Sequence, residues 1–178
     1  IAKEEDANIL IVELSALLRD SEDAKVHNKS ANSGQPKGRG FLETVTVEKQ
    51  ISEHIEYSID NISFKGGNFE SSFYSIELAI VQDADMLDAL GAIGIARAFN
   101  YGGFKNREIY NPSIKPDMQM TKETYTKSSA PTINHFYEKL LLLKNRMNTE
   151  TGKKIAEERH KFMEFYLEQF YKEWNGDK

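Results

Sequence analysis

The chain has 178 residues, the length of one domain with room for a substantial hydrophobic core. Its formal net charge of −5 argues against a general nucleic-acid binder, and its lack of cysteine excludes disulfides and thiolate chemistry. No apolar run in the sequence is long enough to span a membrane. We therefore expect a single domain over 1–178, located in the cytoplasm, with neither nucleic acid nor membrane as a partner.

The first helix is predicted over 6–19. This segment reads DANILIVELSALLR, starts with an aspartate suited to capping, and is apolar on nearly every face. The pattern predicts a fully buried helix. The following stretch, 21–40, is rich in glycine, serine and asparagine and predicts a loop.

Two more helices are predicted over the next 60 residues or so. In the segment 41–62, apolar residues recur at spacings of three and four, which indicates an amphipathic helix. Gly66 and Gly67 are predicted to end it. The segment 75–99 is mostly apolar and predicts one continuous helix, in which Gly91 and Gly94 suggest close packing against another helix.

The segment 100–131 interrupts the helical pattern. It contains YGGF, NPS, KP and APT and has no apolar period. Because a helix is predicted on each side, we interpret it as a long irregular loop with a functional role as a lid. An ordinary solvated loop is the alternative.

Two final helices are predicted over 132–147 and 149–174. The second carries an apolar and aromatic stripe, namely Ile155, Phe162, Met163, Tyr166, Phe170 and Trp174. His160 lies between them in the charged stretch EERHK, which indicates a solvated side chain. With no convincing strand, the sequence predicts an all-α bundle of at least five helices.

Acidic residues end the first helix and interrupt the third. Asp20 follows the first apolar run, and the stretch QDADMLDA contributes Asp83, Asp85 and Asp88. Buried carboxylates are usually paired or coordinate a metal, but for an acidic cluster taken alone helix capping and exposed turns are the favoured explanation. On helical spacing Asp85 and Asp88 share a face, while Asp83 points elsewhere.

Several strings together resemble the HD-domain superfamily, in the branch of small bacterial metal-dependent phosphohydrolases. They are ELSALLRD, NISFKGG, IVQDADMLDALGAIGIARAFNYGG and TINHFYEKLLLLKNRMNTETGKKIAEERHKFM, and they cover essentially the whole chain. The resemblance implies an HD-domain-like helical bundle that binds a divalent metal, namely Mn, Mg, Fe or Ni. In such enzymes the metal polarises a phosphate and lowers the pKa of a bound water, which attacks phosphorus. A small phosphorylated metabolite, with nucleotides first, is the implied substrate.

The resemblance also assigns the metal ligands by position. Asp20 matches the aspartate of the family's His-Asp pair, and Asp85 matches the distal metal-binding aspartate. The histidine of the pair is Arg19 here, and the family's first histidine is expected on a helix that ends about where this sequence begins. Glu22 and Asp23 follow the pair and could orient the attacking water as a general base, or they could cap a turn.

Arg19 changes the chemistry expected at this place. A guanidinium has five donors, no acceptor and a permanent charge, so it cannot ligate a metal. We expect Asp20 and Asp85 alone to hold a divalent ion weakly, and the chain as given to be weakly active or inactive. We further expect Arg19 to take the place of the metal and to pair with Asp85, and to stabilise the fold by doing so.

Basic residues of the later segments are the candidates for binding the substrate's phosphate. Lys105 and Arg107 lie in the predicted lid, where basic residues outnumber acidic ones. His135 and Lys139 are four residues apart and share a helix face, where both could meet a phosphate. A structural role for the histidine is the alternative.

Two functions from different classes follow from these observations. The first is a metal-dependent phosphohydrolase. The second is a non-catalytic HD-like module that keeps the pocket and binds an anionic ligand or a protein partner. Bound metal would favour the first, and a site filled by Arg19 would favour the second.

Overall fold

The structure is a computed structural model that describes residues 1–22, 41–42, 44–45, 47–62, 74–119 and 128–177, without the side chains of 20–22. Within these ranges the chain forms only helices, which confirms the all-α prediction. They are α1 (Ile9–Glu22), α2 (Lys49–Ile62), α3 (Ile76–Asp88), α4 (Gly91–Phe104), α5 (Thr132–Glu138), a 3-10 helix (Leu140–Arg146) and α6 (Glu150–Asn175). None of these helices is both long and apolar enough to cross a membrane.

The chain divides into two compact units, Ile1–Gln82 and Asp83–Lys178. In the first unit α1 packs against α2 through one hydrophobic cluster, which contains Ile11, Leu18, Leu42, Ile55 and Ile59. A second cluster joins the end of α2 to α3 through Ile62, Leu78 and Val81. The single domain over 1–178 stays a prediction.

The prediction that α1 is fully buried is wrong. Leu17 is 72% exposed, and Ile9 and Leu10 are 41% and 47% exposed. Only one side of the helix faces α2, so apolar residues on the other sides remain open within this unit. The helix also begins later than expected. Asn8, and not Asp6, accepts hydrogen bonds from the backbone N–H of Leu10 and Ile11.

The segment 75–99 forms two helices, and not the one that we predicted. The backbone turns at Ala89 and Leu90, and α4 starts at Gly91 with a φ of +73°, which favours glycine. A Cβ at Gly91 would lie 3.1 Å from Cγ of Arg159 in α6, which agrees with the close packing expected there. Periodicity alone did not reveal the break, because buried Leu90 continues the apolar pattern across it.

The irregular segment begins after Phe104, and not at residue 100 as predicted. Gly102 is helical and buried. A Cβ at this position would overlap Oγ1 of Thr132 at the start of α5, so the close approach requires glycine. Gly102 therefore allows α5 to approach α4, and neither glycine of YGGF ends α4. Residues 105–119 and 128–131 contain turns and bends but no helix or strand.

The second unit is built around α5 and α6. Phe136, Met163 and Leu167 are buried in its core, and the 3-10 helix adds Leu140 and Leu143. The predicted helix over 132–147 is thus an α-helix followed by a 3-10 helix. Thr149 caps α6 by accepting a hydrogen bond from Gly152 N–H at 2.9 Å, and Gly176, with a φ of +77°, ends it.

Candidate functional site

Asp83 is the buried carboxylate of the QDAD stretch. Its two oxygens accept four hydrogen bonds of 2.7–3.0 Å, from the backbone and side chain of Asn148 and from the backbone and side chain of Thr149. The carboxylate also fills the space beside Gly152, where a Cβ would overlap Oδ2. The positive end of the α6 dipole favours this charge. Asp83 therefore fixes the C-terminal half of α3 to the start of α6.

The other two aspartates of α3 share a face, as the helical spacing predicted, and both are exposed. Asp88 forms an ion pair with Arg97 of α4, in which both side chains are more than half exposed. Asp85, the expected distal metal ligand, is exposed as well.

The remaining candidates for metal ligands and general base lie largely outside the described side chains. The backbone of α1 includes Asp20 and Glu22, but their side chains are not described, and Asp23 is outside the described ranges. Arg19 is half-buried in the last turn of α1. Its pairing with Asp85 stays a prediction.

The donor set decides how far a divalent metal can be fitted. Within the described ranges no three histidine, aspartate or glutamate side chains come close enough together to hold a metal ion. Asp85 supplies a suitable oxygen donor, whereas the guanidinium of Arg19 supplies none. The described side chains therefore do not fit a metal by themselves.

Three of the predicted phosphate-binding residues come together in the second unit. Lys139 follows His135 by one helical turn, and its backbone N–H donates to His135 O at 3.1 Å. Arg107 reaches the same region because residues 108–109 pair with the start of α5. Thr132 N–H donates to Glu108 O at 2.8 Å, and Ile133 N–H donates to Ile109 O at 3.0 Å.

Further contacts orient the Arg107 guanidinium. It donates to the backbone oxygen of Ser128 at 2.7 Å, and it lies 5.7 Å from the ring centroid of Tyr101. Lys105 lies farther out, with Nζ 5.3–5.7 Å from the rings of Phe104 and Tyr101. We define Arg107, His135 and Lys139 as the cationic cluster, with Lys105 at its exposed border.

The charge state of His135 reflects its neighbours. Burial, and then the positive charges of Lys139 and Arg107, lower its pKa from the ordinary 6.5 to about 4. The imidazole is therefore neutral at pH 7, with one nitrogen able to donate and the other able to accept. Lost hydration and two nearby cations make this place attractive to an anion.

A neighbouring face of α5 anchors the loop that precedes it, and Arg107 lies close enough to act on Glu138 as well. Asn134 is 1% exposed, and its Nδ2 donates to Ile114 O at 3.1 Å. Glu138 Oε1 accepts from Asp117 N–H at 3.1 Å, while burial raises the pKa of the Glu138 carboxyl above its usual range. Asn134 was not among our candidates, although its spacing from Glu138 placed both on one face.

His160 corrects another expectation, since it lies in the middle of α6 and not in a solvated turn. It is 5% exposed, and Nε2 lies 3.2 Å from Glu164 Oε1. Its neighbour Arg159 donates to Leu87 O at 2.5 Å and thereby links α6 to the end of α3. The charged neighbours of His160 in the sequence led us to expect exposure, although its position on the helix faces the core.

Comparison with known proteins agrees with this architecture. A crystal structure of an HD-superfamily hydrolase from Bacillus thuringiensis is 44% identical and matches with a TM-score of 0.77, over 98% of this chain and 79% of that one. The crystal structure of Bacillus subtilis YpgQ in complex with ADP is 35% identical, with a TM-score of 0.74, over 97% of this chain and 81% of that one. In sequence, YpgQ aligns at 35% identity over 177 residues, which is 99% of this chain and 78% of YpgQ. No family model matches the sequence.

These relationships identify the class of protein. An all-helical fold, close structural matches and 35–44% identity over nearly the whole chain place it in the HD superfamily of hydrolases. Within that superfamily the chain is similar to YpgQ and to other small bacterial members.

Proposed function

We propose that this chain is a nucleotide phosphohydrolase that holds the phosphate groups of its substrate in the cationic cluster. The observation that carries the proposal is that Arg107 and Lys139 come together at the partly buried His135, whose pKa is lowered to about 4 by burial first and by the two cations second. Such a place pre-orients positive charge where negative charge develops during transfer of a phosphoryl group. The complex of the relative YpgQ with ADP supports the choice of a nucleotide.

The residues of the cluster have different roles in this proposal. Arg107 binds two phosphate oxygens with its planar donors, and Lys139 adds a mobile single charge at the exposed side. Neutral His135 donates one hydrogen bond, and a phosphate beside it raises its pKa because the anion favours the imidazolium. Lys105 extends the positive field toward incoming anions, and the loop 105–119 acts as a lid that excludes water.

A divalent metal belongs to the proposal through the aspartates. Asp20 and Asp85 would hold it, and it would supply an activated water and charge neutralisation when bound. Glu22 or Asp23 would orient that water as general base. Because Arg19 stands in place of a nitrogen ligand, we expect weak metal affinity and low activity from this chain.

A second candidate is a non-catalytic HD-like module that binds an anionic ligand or a protein partner. One observation favours it. The candidate ligand position at 19 carries a side chain that cannot bind metal, while the cationic cluster lacks nothing that it needs for binding phosphate. In this case Arg19 pairs with Asp85 and replaces the charge of the metal.

Metal analysis and a phosphate-release assay separate these two candidates. The purified chain is incubated with a panel of nucleotides and with Mn²⁺, Mg²⁺, Fe²⁺ or Ni²⁺ in turn, beside the variant Arg19→His. We expect slow release by the unchanged chain and faster release with higher metal occupancy for the variant. Nucleotide binding without release by either protein would favour the non-catalytic module. If the chain shows no nucleotide binding and no phosphate release, both candidates are contradicted.

A further inference from the structure

A pocket of about 250 Å³ lies between the loop 110–116 and the helices α5 and α6. Its walls include the tyrosines at 110, 137 and 171 and the prolines at 112 and 116, and Asn134 and Lys115 add polar groups. The volume is just below the roughly 300–1,000 Å³ of pockets for drug-sized ligands. It therefore suits a fragment such as a flat ring system.

The pocket is held open by hydrogen bonds that do not involve a ligand. Asn111 Oδ1 accepts from Ser113 N–H at 3.0 Å, and its Nδ2 donates to Glu108 Oε2 at 2.9 Å. Asn134 then ties Ile114 to α5, and the Tyr137 and Tyr171 hydroxyls are hydrogen-bonded to each other. A preformed pocket reduces the entropy lost when a ligand binds.

The chemistry of the walls selects the ligand. Tyrosine rings and prolines offer flat apolar surfaces for stacking, which is favourable for any aromatic ring. Asn134 must direct its amide nitrogen at Ile114 O, because only the nitrogen can donate. The amide of Asn134 is 1% exposed, so it supports the wall by holding Ile114, and stacking on the rings is the contact that the pocket offers to a ligand.

We propose that this pocket binds the base of a nucleoside or nucleotide by stacking on tyrosine. The exposed ammonium of Lys115, which also lines the pocket, attracts a phosphate attached to that base. The choice of a nucleobase, among flat ring systems, rests on the proposed function. The pocket and the cationic cluster use neighbouring faces of α5, so this is a site in addition to the cluster.

The protein has a built-in reporter for the test. Its single tryptophan, Trp174, lies with its ring centroid 5.2 Å from that of Tyr110, which lines the pocket. We would excite Trp174 at a wavelength that bases do not absorb and titrate adenosine, guanosine, cytidine and uridine in the presence of EDTA. Nucleosides carry no phosphate, so neither the metal nor hydrolysis affects the result.

We expect a saturable change in the fluorescence of Trp174 with at least one nucleoside, and different affinities among the four. Tyr137→Leu should weaken that binding about tenfold, because one stacking surface is lost. Tyr74→Leu, at a 76% exposed tyrosine of the first unit, is the matched control and should leave the affinity unchanged. Lys115→Glu should weaken the binding of a nucleoside monophosphate and leave the binding of the nucleoside unchanged.

The outcomes distinguish this inference from the proposed function. If no nucleoside changes the fluorescence, or if Tyr137→Leu and Tyr74→Leu bind nucleosides equally well, the base pocket is wrong, whatever the phosphate-release assay shows. If Tyr137→Leu does not fold, titrations of the unchanged chain and of the Lys115→Glu variant still decide whether the pocket binds a base. Nucleoside binding without phosphate release would support the pocket and count against the hydrolase.

Discussion

The second unit has two charged regions, and they differ in what their charges do. Along α3, the three aspartates are separated in role: Asp83 is buried under four donors, Asp88 is paired with Arg97, and Asp85 is exposed. Around α5, by contrast, Arg107 and Lys139 act on the single side chain of His135. Charged residues that are close together in the sequence therefore do not by themselves establish a site. A candidate site needs several charges that act on one point, as Arg107 and Lys139 do at His135.

The largest effect is expected from removing the buried carboxylate. Asp83→Ala leaves four donors at the start of α6 without their acceptor and should lower the free energy of unfolding by about 3–5 kcal/mol. Chemical denaturation measures this. Glu168→Ala, at an exposed carboxylate of α6, is the matched control and should change stability by less than about 0.5 kcal/mol. Equal effects of the two variants would contradict the roles that we assign.

Removing a charge from the cationic cluster should affect binding more than stability. Lys139→Ala should weaken nucleotide binding about tenfold, which corresponds to about 1.4 kcal/mol, because an exposed charge next to the phosphate is lost. Calorimetric titration with a nucleotide measures the change. Lys154→Ala, at an exposed lysine of α6 outside the cluster, should bind like the unchanged chain. Equal affinity of both variants would count against the cluster.

The pH dependence of stability should reveal the neutral imidazole. The pKa of His135 is about 4 in the folded chain and about 6.5 in an unfolded one, so between these values only the unfolded chain takes up the proton. Stability should therefore fall as the pH drops from about 6.5 to about 4, and this contribution is fully present only above 6.5. His135→Gln should flatten the curve in that window, as thermal unfolding at several pH values would show. An unchanged slope would mean that His135 is not held neutral.

The smallest effect is expected at the exposed ion pair. Arg97→Ala removes the partner of Asp88, but water screens both charges, so the loss should be below about 1 kcal/mol. Its dependence on salt should be weak. A loss comparable to that of Asp83→Ala would remove the distinction between buried and exposed carboxylates on α3.

Much of the fold was predictable because apolar spacing reports burial directly. The position of α6 and the end of α2 follow from residues at intervals of three and four, whereas the helix predicted over 41–62 is interrupted and α2 begins only at Lys49. The division between α3 and α4 was not predictable from this spacing, because it depends on one glycine with positive φ and on a neighbouring helix. Gly102 misled the prediction for a related reason. A glycine that ends a helix and a glycine that lets Thr132 approach look identical in sequence.

The candidate site was predictable only in part. The spacing of His135 and Lys139 placed both on one face, whereas Arg107 reaches them through backbone pairing with α5 that no periodicity encodes. The role of Asp83 depends on partners 65 and 66 residues away in the chain. The assignment of Asp20, Glu22, Asp23 and Asp85 came from family resemblance and stays a prediction, as do the metal and the pairing of Arg19.

One measurement tests the central claim most directly, namely that the cationic cluster holds the phosphates of a nucleotide. The C2 proton of His135 is followed by NMR as the pH is varied, with and without a nucleotide analogue whose phosphates cannot be hydrolysed. We predict a pKa of about 4 for the free chain and a clear rise when the analogue is bound, because an anion beside the ring favours its protonated form. A pKa that does not change on binding would contradict the account.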